Sequence, residues 1–367
     1  MRAAACVLVG IVACGRVVTE VTPPDDASLP IDAHADVVTS DSTVDATDGA
    51  DAALTTYLPC TSCDASVVLA NAHAFRLAVD ETNVYWSANA QQYSSIISKC
   101  PIDACTPETL FTGYAGNIAL HGTNLYTWTH EIAYACTTNG CDAGTVLNAT
   151  VNDGVFGFAA SGTSVLWSEQ LDFDWQHASI RACDPSSCDA SVTVAANQPA
   201  PRDVVADDAS VFWINLGEPV DGGIDWIDYG DGGIFSCAMD ACDGGLELAA
   251  HETNAYSLVT NSSSVFWLRG GSILRCKQSG CGGKSDVLAT FAGDVDALVV
   301  DDVAAYFVVA DVPNAAPWRI IKLLLDGSAP PAAITNDEKS YYFSNIAINS
   351  QDVFWIATNG DIMKTSK

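Results

Sequence analysis

The stretch NVYWSANAQQYSSIISKCPIDAC, Asn83 to Cys105, decides how this chain is read. A short apolar triplet ends in tryptophan, a polar run follows, a second apolar segment closes on a cysteine, and another cysteine stands five places later. The same order returns as SVLW, SVFW, SVFW and DVFW, ending at Trp167, Trp213, Trp267 and Trp355. Counted along the whole chain, the triplets end at Trp86, Thr127, Trp167, Trp213, Trp267, Phe307 and Trp355, so neighbours are 40 to 54 residues apart. Two of the seven depart from the pattern: LYT is followed by its tryptophan one place late, at Trp128, and AYF substitutes Phe307.

Each triplet is preceded by a short apolar segment: RLAV from Arg76, NIAL from Asn117, GFAA from Gly157, DVVA from Asp203, SLVT from Ser257, ALVV from Ala297 and NIAI from Asn345. Between segment and triplet lie DETN, HGTN, SGTS, DDAS, NSSS, DDVA and NSQD. Asx and Ser/Thr side chains bond their own backbone, so these tetrads are tight turns between antiparallel strands. The cysteine-ended segment is a third strand, and apolar runs such as TVLNA and SVTVA form a fourth. Four short strands at a period in the forties make an all-β, seven-bladed β-propeller. Along a strand Val84 and Trp86 face one side and Tyr85 the other, so the tryptophan stripe is expected to pack blade against blade.

The seventh repeat stops after its third strand, at Lys367. CTSCDASVVLA, Cys60 to Ala70, matches CDASVTVA, Cys188 to Ala195. The N-terminal segment is therefore expected to complete the last blade and close the ring, which removes a free sheet edge. The propeller is assigned to residues 57–367.

Twelve cysteines form neighbouring pairs: Cys60/Cys63, Cys100/Cys105, Cys136/Cys141, Cys183/Cys188, Cys237/Cys242 and Cys276/Cys281. Five share a C-x4-C spacing at the turn between strands three and four; Cys60/Cys63 is C-x-x-C. Zinc needs four ligands at one point and each blade offers one pair, so disulfides are expected, each small ring adding about 2 kcal/mol at most. Blade 6 has Leu323 and Ser328 at the matching places.

The opening MRAAACVLVGIVACGR has one early basic residue and an apolar run too short to cross a bilayer, the shape of a secretory signal. Ile11 to Cys14 resembles a bacterial lipobox; the resemblance implies an acylated Cys14, and Gly15 after it implies an outer-membrane address. Residues 1–14 are thus expected to be a lipoprotein signal peptide, and 15–56, acidic and without Lys or Arg from Val17 on, a disordered tether. The chain as a whole resembles secreted propellers with YWT-like second strands and, more narrowly, uncharacterised bacterial lipoproteins whose blades repeat VYW, KC and C.

A formal net charge of -30, from 15 Lys+Arg against 45 Asp+Glu, repels a nucleic-acid backbone and an anionic headgroup surface. Nucleic acid is not an expected partner, membrane contact is expected through the lipid anchor only, and the protein is expected to be a monomer. Candidate recognition residues sit in the connections between strands two and three and between blades: Tyr93, Trp175, His177, Trp226, Tyr229 and Trp318. Aromatics beside carboxylates suit a glycan or a cationic peptide. Asp221, Asp225, Asp228 and Asp231 in the blade-4 insertion offer the hard oxygens that Ca²⁺ takes, and no other cofactor is expected. His73, His130, His177 and His251 with Glu131 invite comparison with seven-bladed lyases that use a histidine and a metal near the central channel, a resemblance in blade number alone. No nucleophile elbow, HExxH or phosphate loop is present, so no catalytic residue is assigned. The expected role is a non-catalytic binding module at the cell envelope; a metal-assisted lyase or hydrolase and a structural docking protein for another envelope protein are the alternatives.

Overall fold

The computed structural model describes residues 53–367, apart from 62, 92–93, 114–115, 129–132, 148–154, 163, 170–177, 187, 189–190, 221–227, 240, 313–314, 337–344 and 358. It is all-β: seven four-stranded antiparallel sheets, each ordered from an inner first strand to an outer fourth, plus a two-stranded ribbon. Blades 1 to 6 cover 74–113, 117–147, 155–198, 201–250, 256–290 and 295–333. Blade 7 takes three strands from 346–366 and its outer strand, Ser66–Leu69, from the N-terminal end. Val67 pairs with Met363 and Ser66 with Lys364, so the ring closes as the repeated CDAS motif requires.

The polar tetrads form the turns expected of them. Oδ1 of Asp80, Asp207, Asn261, Asp301 and Asn349 each accepts the backbone N–H groups two and three residues on, at 2.7 to 3.0 Å. Each such residue thereby satisfies donors that the reversal of the chain leaves unpaired.

The core is seven clusters, one per interface between blades. In every one, the middle residue of one triplet meets the outer two of the next. Phe354 packs with Val84 and Trp86, Phe212 with Val265 and Trp267, and Tyr306 with Val353 and Trp355. Leu166 meets Val211 and Trp213, and Phe266 meets Ala305 and Phe307. Trp213, Trp267 and Trp355 have no exposed surface.

Blade 2 shows what a shift of one residue does. Strand side chains alternate, so Trp128 turns toward blade 3, where its ring stacks on Phe158 at 4.3 Å. The indole place against blade 1 falls to Thr127, fully buried, whose Oγ1 has no hydrogen-bond partner among the described residues. Phe111 of the outer blade-1 strand packs against this interface, 4.9 Å from the Tyr134 ring.

Indole N–H groups are handled unevenly. Fifteen residues before their tryptophans, Gln198 accepts from Trp213 and Glu252 from Trp267, both at 3.0 Å. Glu252, 2% exposed, also accepts from Ser285 and pairs with Arg269 at 2.9 Å, so its charge is compensated where water is excluded. The indole nitrogens of Trp128, Trp167 and Trp355 are buried without a partner among the described residues.

Five bridges, Cys60–Cys63, Cys100–Cys105, Cys183–Cys188, Cys237–Cys242 and Cys276–Cys281, are formed, and Cys136 is bridged as well; the side chain of Cys141, its expected partner, lies outside the description. So many bridges point to an extracytoplasmic protein.

The N-terminal segment does more than supply one strand. Thr55 donates its N–H to the Thr290 carbonyl on blade 5, and Leu58 exchanges backbone bonds with Pro331 and Ala333 on blade 6. The Tyr57 hydroxyl accepts from Arg319. Thr55 to Leu69 is a strap over the outer edges of blades 5, 6 and 7.

Removing a buried, unpaired hydroxyl while keeping the side-chain shape relieves a desolvation cost of about 1 kcal/mol. Thr127→Val is therefore expected to raise the urea midpoint at unchanged m value; an unchanged or lower midpoint shows that the hydroxyl is satisfied.

Candidate functional site

A blade of four antiparallel strands sends its 1–2 and 3–4 turns to one face of the ring and its 2–3 and inter-blade connections to the other. The second face carries the insertions. Of the residues singled out in the sequence, Tyr93, Trp175, His177, Asp221, Asp225 and Trp226 lie outside the described residues, as do His130 and Glu131. The blade-4 insertion leaves the blade as a ribbon in which Val220 pairs with Asp228 and Pro219 with Tyr229. Gly217 forms its neck at φ +96; a Cβ there would strike the carbonyls of Gly230 and Asp231. Asp231, at the foot of the ribbon, holds His251 at 3.0 Å, both largely exposed. Among the described residues no group of three or more His, Cys, Asp or Glu is placed to hold a metal ion.

Trp318 belongs to the third strand of blade 6, opposite Ala310, and packs beside the cluster between blades 6 and 7. His73, at φ 50, lies with its backbone close to Gly360 of blade 7.

The first strands of all seven blades line an axial channel of about 450 Å³, with Leu77, Ile118, Phe158, Val205, Val299 and Ile346 among its apolar walls. One or two places before the channel-lining residues of each first strand, toward the insertion face, stand Arg76, Asn117, Gly157, Asp203, Ser257, Ala297 and Asn345. They bond from blade to blade. Arg76 Nε donates to Asn117 Oδ1, and Asn345 Nδ2 to the Phe75 carbonyl at 3.1 Å. Asp203 Oδ2 accepts the Leu258 N–H, and Ser257 Oγ the Leu298 N–H, both at 3.2 Å. Gly157 has no room for a side chain, since a Cβ would meet the Asp203–Val204 backbone.

This rim holds its charges and its backbone at a cost. Burial pushes the Asp203 carboxyl above the ordinary aspartate range, against backbone donors at Leu258 and Ser257 and the Arg202 charge that pull it down. Asp296, beside Ala297, is raised as well, first by burial and then by Asp294. Burial, reinforced by Asp296 and Asp294, pushes the Tyr256 phenol up to about 12. Ser257 and Ala297 sit at φ 58 and 51, in the left-handed region that non-glycine residues enter with strain. Arg202 lies over the Phe156 ring at 4.0 Å, a cation held against an aromatic face.

No family model matches this sequence, and no curated protein matches it. Solved structures do. Virginiamycin B lyase from Staphylococcus aureus superposes with a TM-score of 0.58 at 9% identity, over 83% of this chain and 99% of that one. The tricorn protease gives 0.57 at 9% identity over 84% of this chain, which spans only 35% of the protease's length. A chain of the mitotic checkpoint complex gives 0.55 at 8% identity, over 85% and 99%. The likeness is one of fold. At these identities enzymes and assembly partners share the ring alike, so the reading of this chain rests on its own residues.

The rim was not found in the sequence, although its signal was there. The first letter of each aligned segment is Arg, Asn, Gly, Asp, Ser, Ala or Asn, and the letters after it are mostly apolar. A polar or small letter at the start of an apolar segment looks like a boundary; only the closed ring brings the seven positions around one opening.

An aspartate whose folded value is raised keeps its stability contribution below the ordinary aspartate value and loses it as pH rises through the raised value. Asp203→Asn retains an acceptor for Leu258 and cannot ionise. Its stability is expected to fall less than the parent's between about pH 4 and neutrality; parallel pH profiles from urea unfolding would contradict a raised Asp203.

Proposed function

We propose that the chain is a binding propeller, held at the bacterial cell envelope through an acylated Cys14, that takes a glycan or peptide at the mouth of its axial channel and against the insertions of blades 3 and 4. The observation that carries this reading is the rim. Raised carboxyls at Asp203 and Asp296, left-handed backbone at Ser257 and Ala297, and an apolar channel coincide on one face. Perturbed titratable groups and local strain gather where a protein recognises or transforms something. The same face bears the long connections, and loops on a rigid scaffold are where recognition usually sits.

In this reading rim donors and acceptors bind ligand hydroxyls or amides, while Trp175 and Trp226 supply apolar faces from above. Asp221, Asp225, Asp228 and Asp231 are proposed to hold Ca²⁺ that stiffens the blade-4 insertion. The outer membrane is the proposed site of attachment.

Thermal-shift measurements with soluble glycans, peptides, Ca²⁺ and chelator test the site. A ligand at a hundred times its Kd adds about 2.7 kcal/mol of stability. The parent is expected to respond to one class, and the Trp175→Ala/Trp226→Ala protein to lose that response. Equal shifts in both would place the site elsewhere, and silence from every compound would remove the binding reading. For the anchor, a labelled fatty acid is expected on the parent and not on Cys14→Ser; label retained by the variant would exclude acylation at Cys14.

A further inference from the structure

The cysteine pairs do not share one environment. Cys100, Cys183, Cys188 and Cys276 are at most 6% exposed and sit in the clusters between blades, and Cys237 and Cys242 pack against another such cluster. In the bridges Cys100–Cys105, Cys183–Cys188 and Cys276–Cys281 the third strand of a blade is tied to the turn that follows it, and in Cys237–Cys242 to the start of the fourth strand, within a sheet that already has its ladder. Cys60–Cys63 lies in no sheet. It occupies the junction between the part of the strap that crosses blades 5 and 6, Thr55 to Pro59, and the strand Ser66–Leu69 that completes blade 7.

Cys60 is half-buried, as are Cys105, Cys237, Cys242 and Cys281, and packs beside the cluster between blades 5 and 6. It borders two cavities, one of about 560 Å³ with Leu58, Asp64, Lys322, Thr365 and Lys367, the other of about 290 Å³ with Tyr57, Arg319 and Asn336. Cys63 borders neither. An incoming thiolate must approach a sulfur along the bond it breaks, and access to that sulfur is one of the factors that set how fast a disulfide exchanges.

We propose that Cys60–Cys63 is a thiol–disulfide exchange site, opened by a small external thiol or dithiol, and that its opening releases the strap that closes the ring. In the first step the external thiolate attacks Cys60 Sγ, forming a mixed disulfide and expelling Cys63 as a thiolate, which takes a proton. A second thiolate attacks the external sulfur of the mixed disulfide; Cys60 leaves, is protonated, and the external thiols depart as a disulfide. Two electrons pass from the external thiols to the bridge. The two cysteines then no longer fix the angle between the strap's two parts, which are held by backbone bonds, the Thr290 N–H to Thr55 Oγ1 bond, and the packing of Tyr57 on one side and of Val68 and Leu69 on the other. The ring keeps its six complete blades and gains a labile seventh edge. This device works whether or not the rim binds a ligand.

The test uses the mature, folded protein with graded dithiothreitol, alkylation of freed thiols and mass spectrometry. Cys60 and Cys63 are expected to become half-modified at a dithiothreitol concentration at least tenfold below that needed for Cys100–Cys105 or any other C-x4-C pair. At that concentration amide hydrogen exchange over Ser66–Leu69 and Thr365–Lys367 is expected to rise tenfold or more, with blades 3 and 4 unchanged. A Cys60→Ser/Cys63→Ser protein is expected to show the faster exchange without reductant and no further response to mild reductant. Simultaneous opening of the bridges, or a C-x4-C pair opening first, overturns the site. Prior opening of Cys60–Cys63 with unchanged amide exchange in the parent overturns the release of the strap, and that measurement needs no variant to fold.

Discussion

Everything in this protein depends on how one blade's middle side chain fits between the outer two of the next. Phe354 between Val84 and Trp86, and Phe212 between Val265 and Trp267, are instances of a single contact repeated around the ring. Burying each such aromatic contributes roughly 2 to 3 kcal/mol. A single sheet cannot bury both its faces alone, so each blade is stable because it has two neighbours. The interface between blades 7 and 1 is built on the same triplet contact as those between blades 4 and 5 and between blades 6 and 7, so the two ends of the array cover each other.

Most of that contact was legible in the sequence because it recurs with both periods that matter, two along a strand and about forty-five along the chain. The exceptions are instructive. Trp128 looks like a conservative slip, yet one residue along a strand is a change of face, and the blade-1 interface receives Thr127 and borrows Phe111. The strap from Thr55 to Pro59 had no counterpart in any repeat, so nothing in the pattern could place it on blades 5 and 6. The rim residues were aligned in the repeats, but their convergence is a property of the ring and of irregular pairing at the strand starts, such as the shifts between Asp296 and Val299 and between Tyr256 and Val259. Alternating periodicity cannot express a bulge.

The two faces divide the labour. On the turn face, Asp and Asn carboxyl and amide oxygens each cap a chain reversal, and neighbouring tetrads are tied by bonds such as Ser262 to Asp302 and Ser350 to Glu81. Those acids lie where water reaches them and where backbone donors welcome the charge. On the insertion face, Asp203 and Asp296 are ionisable groups held in places that disfavour their ionised form. Among the described carboxyls, burial raises Asp203 and Asp296 beside the channel and, against the pull of Arg181, Glu169 at the end of the second strand of blade 3. That contrast within one molecule singles out the insertion face more sharply than any fold comparison does.

The pairing of Ser66 with Lys364 also governs the order in which the molecule can be assembled. The outer edge of the last sheet leaves the ribosome among the first residues of the folded part, and the partner that receives it among the last. Bringing those ends together across nearly the whole chain costs on the order of 5 kcal/mol of loop-closure entropy. Six sheets can stack in sequence as they emerge, while the seventh must wait. Until the C-terminal residues arrive, the newborn propeller is an open spiral with two bare faces, and shielding that spiral falls to whatever escorts the chain before it is released.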